Sequence, residues 1–133
     1  MLFVAADETA RWLEQVLNAL ADPLRARILS LLAEYEVCVC YLVEVLHTVQ
    51  PVVSRQLAAL RRAGLVDCRR DGKWIHYRLR NPDNESASAL LSEALRHLKR
   101  VRLTQTDLAR LAAYSKRRTG HLKDAPLPQR VTG

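Results

Sequence analysis

The sequence predicts a mainly α-helical domain that carries a single β-hairpin. Three observations lead there. Aliphatic residues recur at helical spacing through most of the 133-residue chain, while aromatic residues make up only 5% of it. One segment, Leu65 to Leu79, is built differently: its second half alternates with period two, and Asp71-Gly72 at its centre is a strong two-residue hairpin signal. The length and the hydrophobic fraction of 49% suffice for one domain with its own core.

The first helix starts at Asp7, placed as N-cap, and runs to Ala21, with Trp12, Val16, Leu17 and Leu20 on one face. Asp22-Pro23 restarts a helix, Asp as cap and Pro at the first helical position, with Leu24, Ile28, Leu31 and Leu32 as its apolar stripe. Val37 to Leu46 reads as a third, short helix, and His47-Thr48-Val49 as a tight turn. Gln50 to Ala63 is a fourth helix: Pro51 suits its first turn and Gly64 sits just past its end. Its core stripe is Val53, Leu57 and Leu60, which leaves Ser54, Arg55, Gln56, Arg61 and Arg62 polar.

Leu65 to Arg70 and Lys73 to Leu79 are the hairpin strands, the second with Ile75, Tyr77 and Leu79 on one face and Trp74, His76 and Arg78 on the other. Asn81-Pro82-Asp83-Asn84 breaks the strand. Glu85 to Val101 and Thr104 to Arg118 complete the helices. The domain thus covers residues 1–118. Residues 119–133, with two prolines and little periodicity, read as a flexible tail.

The net charge of +7 is unevenly distributed. Residues 1–53 hold 3 basic and 7 acidic side chains, residues 54–80 hold 8 and 2, and residues 81–133 hold 10 and 5. The dense middle block has the footprint of a phosphate-binding surface, a solvated basic face being the plainer reading. The chain has no run of about 18 apolar residues, so no membrane partner is expected. Its first residues, MLFVAADETA, lack the basic and apolar regions of a signal peptide. Three cysteines make no disulfide framework, which fits a reducing cytoplasm. No Gly-rich phosphate loop or strand–helix alternation suggests an enzyme.

A short helix, a turn, a basic helix and a basic hairpin make a helix-turn-helix followed by a wing, shapes that fit the major groove and the flanking backbone of double-stranded DNA. Gln50, Ser54, Arg55 and Gln56 are the candidates for base edges, and Arg61, Arg69, Arg70 and Lys73 for phosphates.

Cys38 and Cys40 are the other feature. Within a helix, residues two apart point about 200° from each other, so two thiolates holding one ion would have to distort the helix. Small buried hydrophobes, or a redox pair that forms a disulfide, are the alternative readings.

The stretches ALADPLRARILSLL, VCVCYLVEVL, QPVVSRQLAALRRAGLV and RRDGKWIHYRL, in that order, resemble the ArsR/SmtB family of winged-helix metalloregulatory repressors. The resemblance covers most of residues 19–79 and implies a homodimer that binds an inverted-repeat operator and lets go when its ligand binds. It implies a dimer interface built from helices 7–21 and 85–101. VCVCYL resembles the arsenic-sensing signature ELCVCDL, which implies trivalent arsenic or antimony as the inducer, held by the Cys38 and Cys40 thiolates.

There are departures from the family pattern. The third cysteine of that motif falls at Val43. Cys68 or a small cellular thiol is then a candidate third ligand. Alternatively, an organoarsenical, whose carbon fills one position, needs only two. Val52 stands where relatives often carry a polar residue, and Val49 where a Ser N-cap is usual, which leaves Thr48 to cap one residue early. The zinc site of other branches needs Asp-x-His on the long helix after the wing. Here His97 stands without it and His76 lies in the wing, so no zinc site is expected.

Overall fold

The computed structural model describes residues 7–131. Residues 1–6, within the stretch read as lacking a leader, and residues 132–133, at the end of the expected tail, lie outside the described residues. Helix α1 spans Glu8–Ala21 and α2 spans Pro23–Glu34. Each begins at the expected aspartate: Asp7 accepts from the Ala10 amide at 3.2 Å and Asp22 from the Arg25 amide at 2.9 Å. A strand β1 follows at Tyr35–Cys38, then α3 at Val39–Leu46 and α4 at Gln50–Arg62. The hairpin strands are β2, Val66–Asp71, and β3, Trp74–Leu79. Helices α5, Glu85–Leu98, and α6, Arg102–Arg117, come next, and a two-residue strand β4, Gln129–Arg130, ends the order. The architecture is a winged helix-turn-helix, mainly α, with α3 and α4 packed on each other and β2–β3 as the wing.

Three expectations are corrected. The third helix begins at Val39, because Tyr35 to Cys38 is extended and pairs antiparallel with β3, Val37 opposite Tyr77 and Cys38 opposite His76. Tyr35 and Val37 suit a pleated, half-buried strand, and the partner edge that selects it lies some forty residues away. The hairpin turn is Gly72-Lys73, since Asp71 pairs with Trp74. Gly72 has φ +61, as the first position of a type II′ turn requires. The presumed tail is ordered: Gln129 and Arg130 pair with Glu36 and Tyr35, and Leu122 and Ala125 are buried. Those two apolar side chains and the free edge of β1 draw it down. The sheet order is therefore β2-β3-β1-β4.

Helix α2 is the centre of the core. Ala26, Ile28, Leu29, Ser30, Leu31 and Leu32 are all buried, and α2 touches α1, α4, α5, α6 and β3. Arg27, on the same helix, forms a two-pronged ion pair with Asp107 of α6, both contacts at 2.9 Å. Asp107 is 1% exposed, and its carboxylate raises the Arg27 pKa against the cost of burial. At the end of α4, Gly64 takes φ +79, and the Leu65 amide donates to the Leu60 carbonyl at 3.0 Å, closing a Schellman motif over two buried leucines. A Cβ on Gly64 would stand 3.0 Å from the Trp12 ring.

Two stability outcomes follow from these contacts. Gly64→Ala meets both a left-handed backbone and the Trp12 ring, so chemical denaturation should show a loss of at least about 1 kcal/mol. An unchanged midpoint would contradict the αL assignment. Arg27→Met leaves the Asp107 carboxylate buried with only Arg110 nearby, at 4.0 Å, and should cost about 2–3 kcal/mol in the same assay.

Candidate thiol site and nucleic-acid interface

Cys38 ends β1 and is also the N-cap of α3, with extended φ −68 and ψ 144. Cys40 lies in the first turn of α3. The helical geometry expected for the pair therefore does not apply. A strand residue followed by a helix residue brings the two sulfurs together, and the Cys40 thiol donates to the Cys38 sulfur at 3.0 Å. Both cysteines are free, Cys38 only 1% exposed and Cys40 partly buried. Bringing the sulfurs onto one ion requires no unwinding of an intact helix. Two thiolates at about 2.3 Å from a shared soft ion stand about 3.3–3.8 Å apart, a small opening from the observed separation.

The surroundings divide the two thiols. The hydrogen bond from Cys40 lowers the Cys38 pKa to about 6, outweighing desolvation, and the amides of Cys40, Ile75 and Val39 help. The same hydrogen bond and burial push the Cys40 thiol up. The two thiols are thus driven apart, Cys38 toward the thiolate and Cys40 toward the thiol, and binding an ion to both releases the protons they still carry.

The remaining candidate ligands are not brought to the pair. Val43, in the third motif position, is partly buried and apolar. Cys68 pairs with Tyr77, which pairs with Val37, so it shares a row with Val37 and not with Cys38. That row faces the other side of the sheet, two strand spacings or about 9.5 Å away. His97, exposed on α5, faces Glu93 of the same helix at 3.2 Å. His121 stands 3.9 Å from Glu44. Among the described residues no group of three His, Cys, Asp or Glu side chains stands close enough to hold a metal ion.

Helix α4 presents Gln50, Ser54, Arg55 and Arg61 to solvent, with Gln56 half-buried, while Val53, Leu57 and Leu60 hold it to the core. Its N-cap is Val49, with no side-chain cap hydrogen bond; Thr48 does not cap it. Pro51 carries no N–H, and the Val52 and Val53 amides donate to the Val49 carbonyl at 3.1 and 3.2 Å, so the first turn is satisfied without a side-chain cap. On the wing, Arg70 is exposed and Lys73 lies 5.0 Å over the Trp74 ring. Among the described residues no carboxylate lies within ion-pair distance of Arg55, Arg61, Arg70 or Lys73, but Arg69 is bound to Glu36 at 2.7 Å. Sequence reasoning missed that engagement, since Glu36 is 33 residues away and nothing local signals it.

Two packed helices with an exposed polar second helix and a basic hairpin wing define a winged helix-turn-helix regulator. Residues 22–67 match the family model described as "Bacterial regulatory protein, arsR family". The chain is 45% identical over 83 residues to the arsenical resistance operon repressor of Escherichia coli K12, covering 62% of this chain and 71% of that one. It is 51% identical over 65 residues to the arsenic resistance transcriptional regulator ArsR1 of Pseudomonas putida KT2440, covering 48% of this chain and about half, 51%, of the relative. Among solved structures, the homodimeric winged helix-turn-helix DNA-binding domain of Mb0332 from Mycobacterium bovis superimposes with a TM-score of 0.55 at 29% identity, covering 77% of this chain and 97% of that one. The chain belongs to the ArsR family of bacterial regulatory proteins. Among the described residues no helix is long and apolar enough to cross a membrane.

The thiol pair gives a direct spectroscopic outcome. Thiolate absorbance should rise around pH 6 in the unmodified chain. In Cys40→Ala, which removes the donated hydrogen bond, the rise should move up toward the ordinary cysteine value of about 8.5. An unchanged titration would show that Cys40 does not hold Cys38 in its ionised form.

Proposed function

We propose that this protein is a cytoplasmic transcriptional repressor that binds operator DNA as a homodimer and is released by trivalent arsenic or antimony. The observation that carries the reading is the sulfur pair at the head of α3, 3.0 Å apart and already sharing a proton. The names of the two bacterial relatives, an arsenical resistance operon repressor and an arsenic resistance transcriptional regulator, support the choice of ligand. Soft thiolates select soft ions over calcium, magnesium or manganese. Each arsenic–sulfur bond forms as a hydroxide leaves arsenous acid as water, the proton coming from a thiol or, for the ionised Cys38, from solvent.

DNA recognition is assigned to α4 and the wing. Gln50, Ser54, Arg55 and Gln56 read base edges, with Arg and Gln able to contact guanine and adenine in bidentate fashion. Arg61, Arg70 and Lys73 hold phosphates. Two copies, joined through α1 and α5, set two reading helices on successive turns of an inverted repeat. The homodimeric Mycobacterium bovis relative supports that assembly.

The switch lies at the strand–helix junction. An ion between the sulfurs parts Cys38 from Cys40 and so displaces the end of β1 against the start of α3, which packs on α4. A tenfold loss of operator affinity requires only about 1.4 kcal/mol of coupling. The second reading, an organoarsenical as preferred inducer, is favoured by Val43, which puts an apolar side chain where a third thiolate would stand.

Fluorescence anisotropy on promoter DNA tests this. Arsenite, antimonite and phenylarsine oxide should each release the protein, whereas zinc and cadmium should not. Cys38→Ser and Cys40→Ser should retain operator affinity and lose the release. Release by peroxide alone would replace the metalloid reading with a redox one. Arg55→Ala should weaken operator binding by about 1–3 kcal/mol, and unchanged affinity would remove α4 from the reading role.

A further inference from the structure

The wing is tied to the thiol strand by its own side chains. Arg69, on β2, donates through Nε at 3.0 Å and Nη2 at 2.7 Å to one carboxylate oxygen of Glu36, on β1. Strand β3 lies between them, so the guanidinium reaches across a whole strand. Glu36 is two residues from Cys38 and therefore on the same face of β1. The register adds a second link: Arg69 pairs with His76, and His76 pairs with Cys38, one row across three strands. His76 is 3% exposed beneath this bridge, its Nε2 without a hydrogen-bond partner and 3.6 Å from Asp71 of β2.

An ion pair as exposed as Arg69 adds little to stability. Its effect is orientation: it fixes the wing relative to the strand that ends in Cys38. It also occupies a guanidinium that would otherwise face the phosphates. We propose that Glu36–Arg69 is the latch that carries a displacement of Cys38 to the wing, with Arg69 a positioning residue and not a phosphate contact. This rests on the reading of Cys38 and Cys40 as the metalloid site. It assigns the wing, alongside α4, a share in release.

The test is the ratio of operator dissociation constants with and without saturating arsenite. It is measured for the unmodified protein, Glu36→Gln, Arg69→Gln, the double variant, and the exchanged pair Glu36→Arg/Arg69→Glu. Arsenite binding is measured separately, without DNA, by the arsenic–sulfur absorbance that forms at the thiol pair itself. Each single variant should bind arsenite as the unmodified protein does, yet show a ratio lowered at least about threefold. The double variant should fall no further than the singles, because they break one link. The exchanged pair should recover the ratio.

The salt dependence of operator binding supplies an independent readout. For Arg69→Gln the slope should be unchanged. A slope reduced by about one, with the ratio intact, would make Arg69 a phosphate contact and overturn the latch. Unaltered ratios in all variants would overturn the latch alone. Failure of the unmodified protein to bind arsenite would remove the metalloid site and the latch together.

Discussion

The pairing of β1 with β3 is the interaction on which the remainder depends. Four residues, Tyr35–Cys38, leave the helical path after Glu34 and enter a ladder with Tyr77 and His76. Were they helical, the two cysteines would face apart. As a strand end followed at once by a helix start, they hold their sulfurs in contact. The ladder also sets Cys38 as the N-cap of α3, where amides favour a thiolate. The free edge of β1 then takes β4, and Glu36 takes the wing arginine. One short strand meets the thiol pair, the reading unit, the wing and the C-terminal segment.

The surrounding structure is suited to transmit a small movement without absorbing it. Helix α2 is buried almost all round and is clamped to α6 through Arg27 and Asp107. Packed interiors of this kind shift between discrete arrangements and do not deform smoothly. A change of under an ångström between Cys38 and Cys40 therefore has two rigid outlets: α3 onto α4, and Glu36 onto the wing. In the proposed switch no cavity is needed to receive an inducer, because Cys38 and Cys40 belong to the elements that would move.

Much of this was legible in the sequence, and the gaps have physical reasons. Asp7, Asp22-Pro23 and Gly64 are local signals, and the helices they bound stand where those signals put them. The hairpin was also legible, although its turn is shifted one residue to Gly72-Lys73. Strand β1 was not: four residues between two helices carry no readable period, and their partner is the wing. The same holds for Gln129–Arg130, which is ordered by the distant edge of β1, where the Arg130 side chain also donates to the Tyr35 hydroxyl at 3.2 Å. The cysteine pair was visible as composition, but its geometry was misread because it depends on that strand. The sequence assigns Arg69 to the phosphates, and its engagement with Glu36 is not legible there because it is a contact of the tertiary fold.

Amide hydrogen exchange with and without one equivalent of arsenite tests the central claim most directly. If the β1–α3 junction is the sensor, exchange should change at residues 35–42 and at the paired residues His76 and Tyr77, while the buried amides of α2 stay as they were. Unchanged exchange across the junction, or change confined to α5, would place the sensor elsewhere and contradict the account.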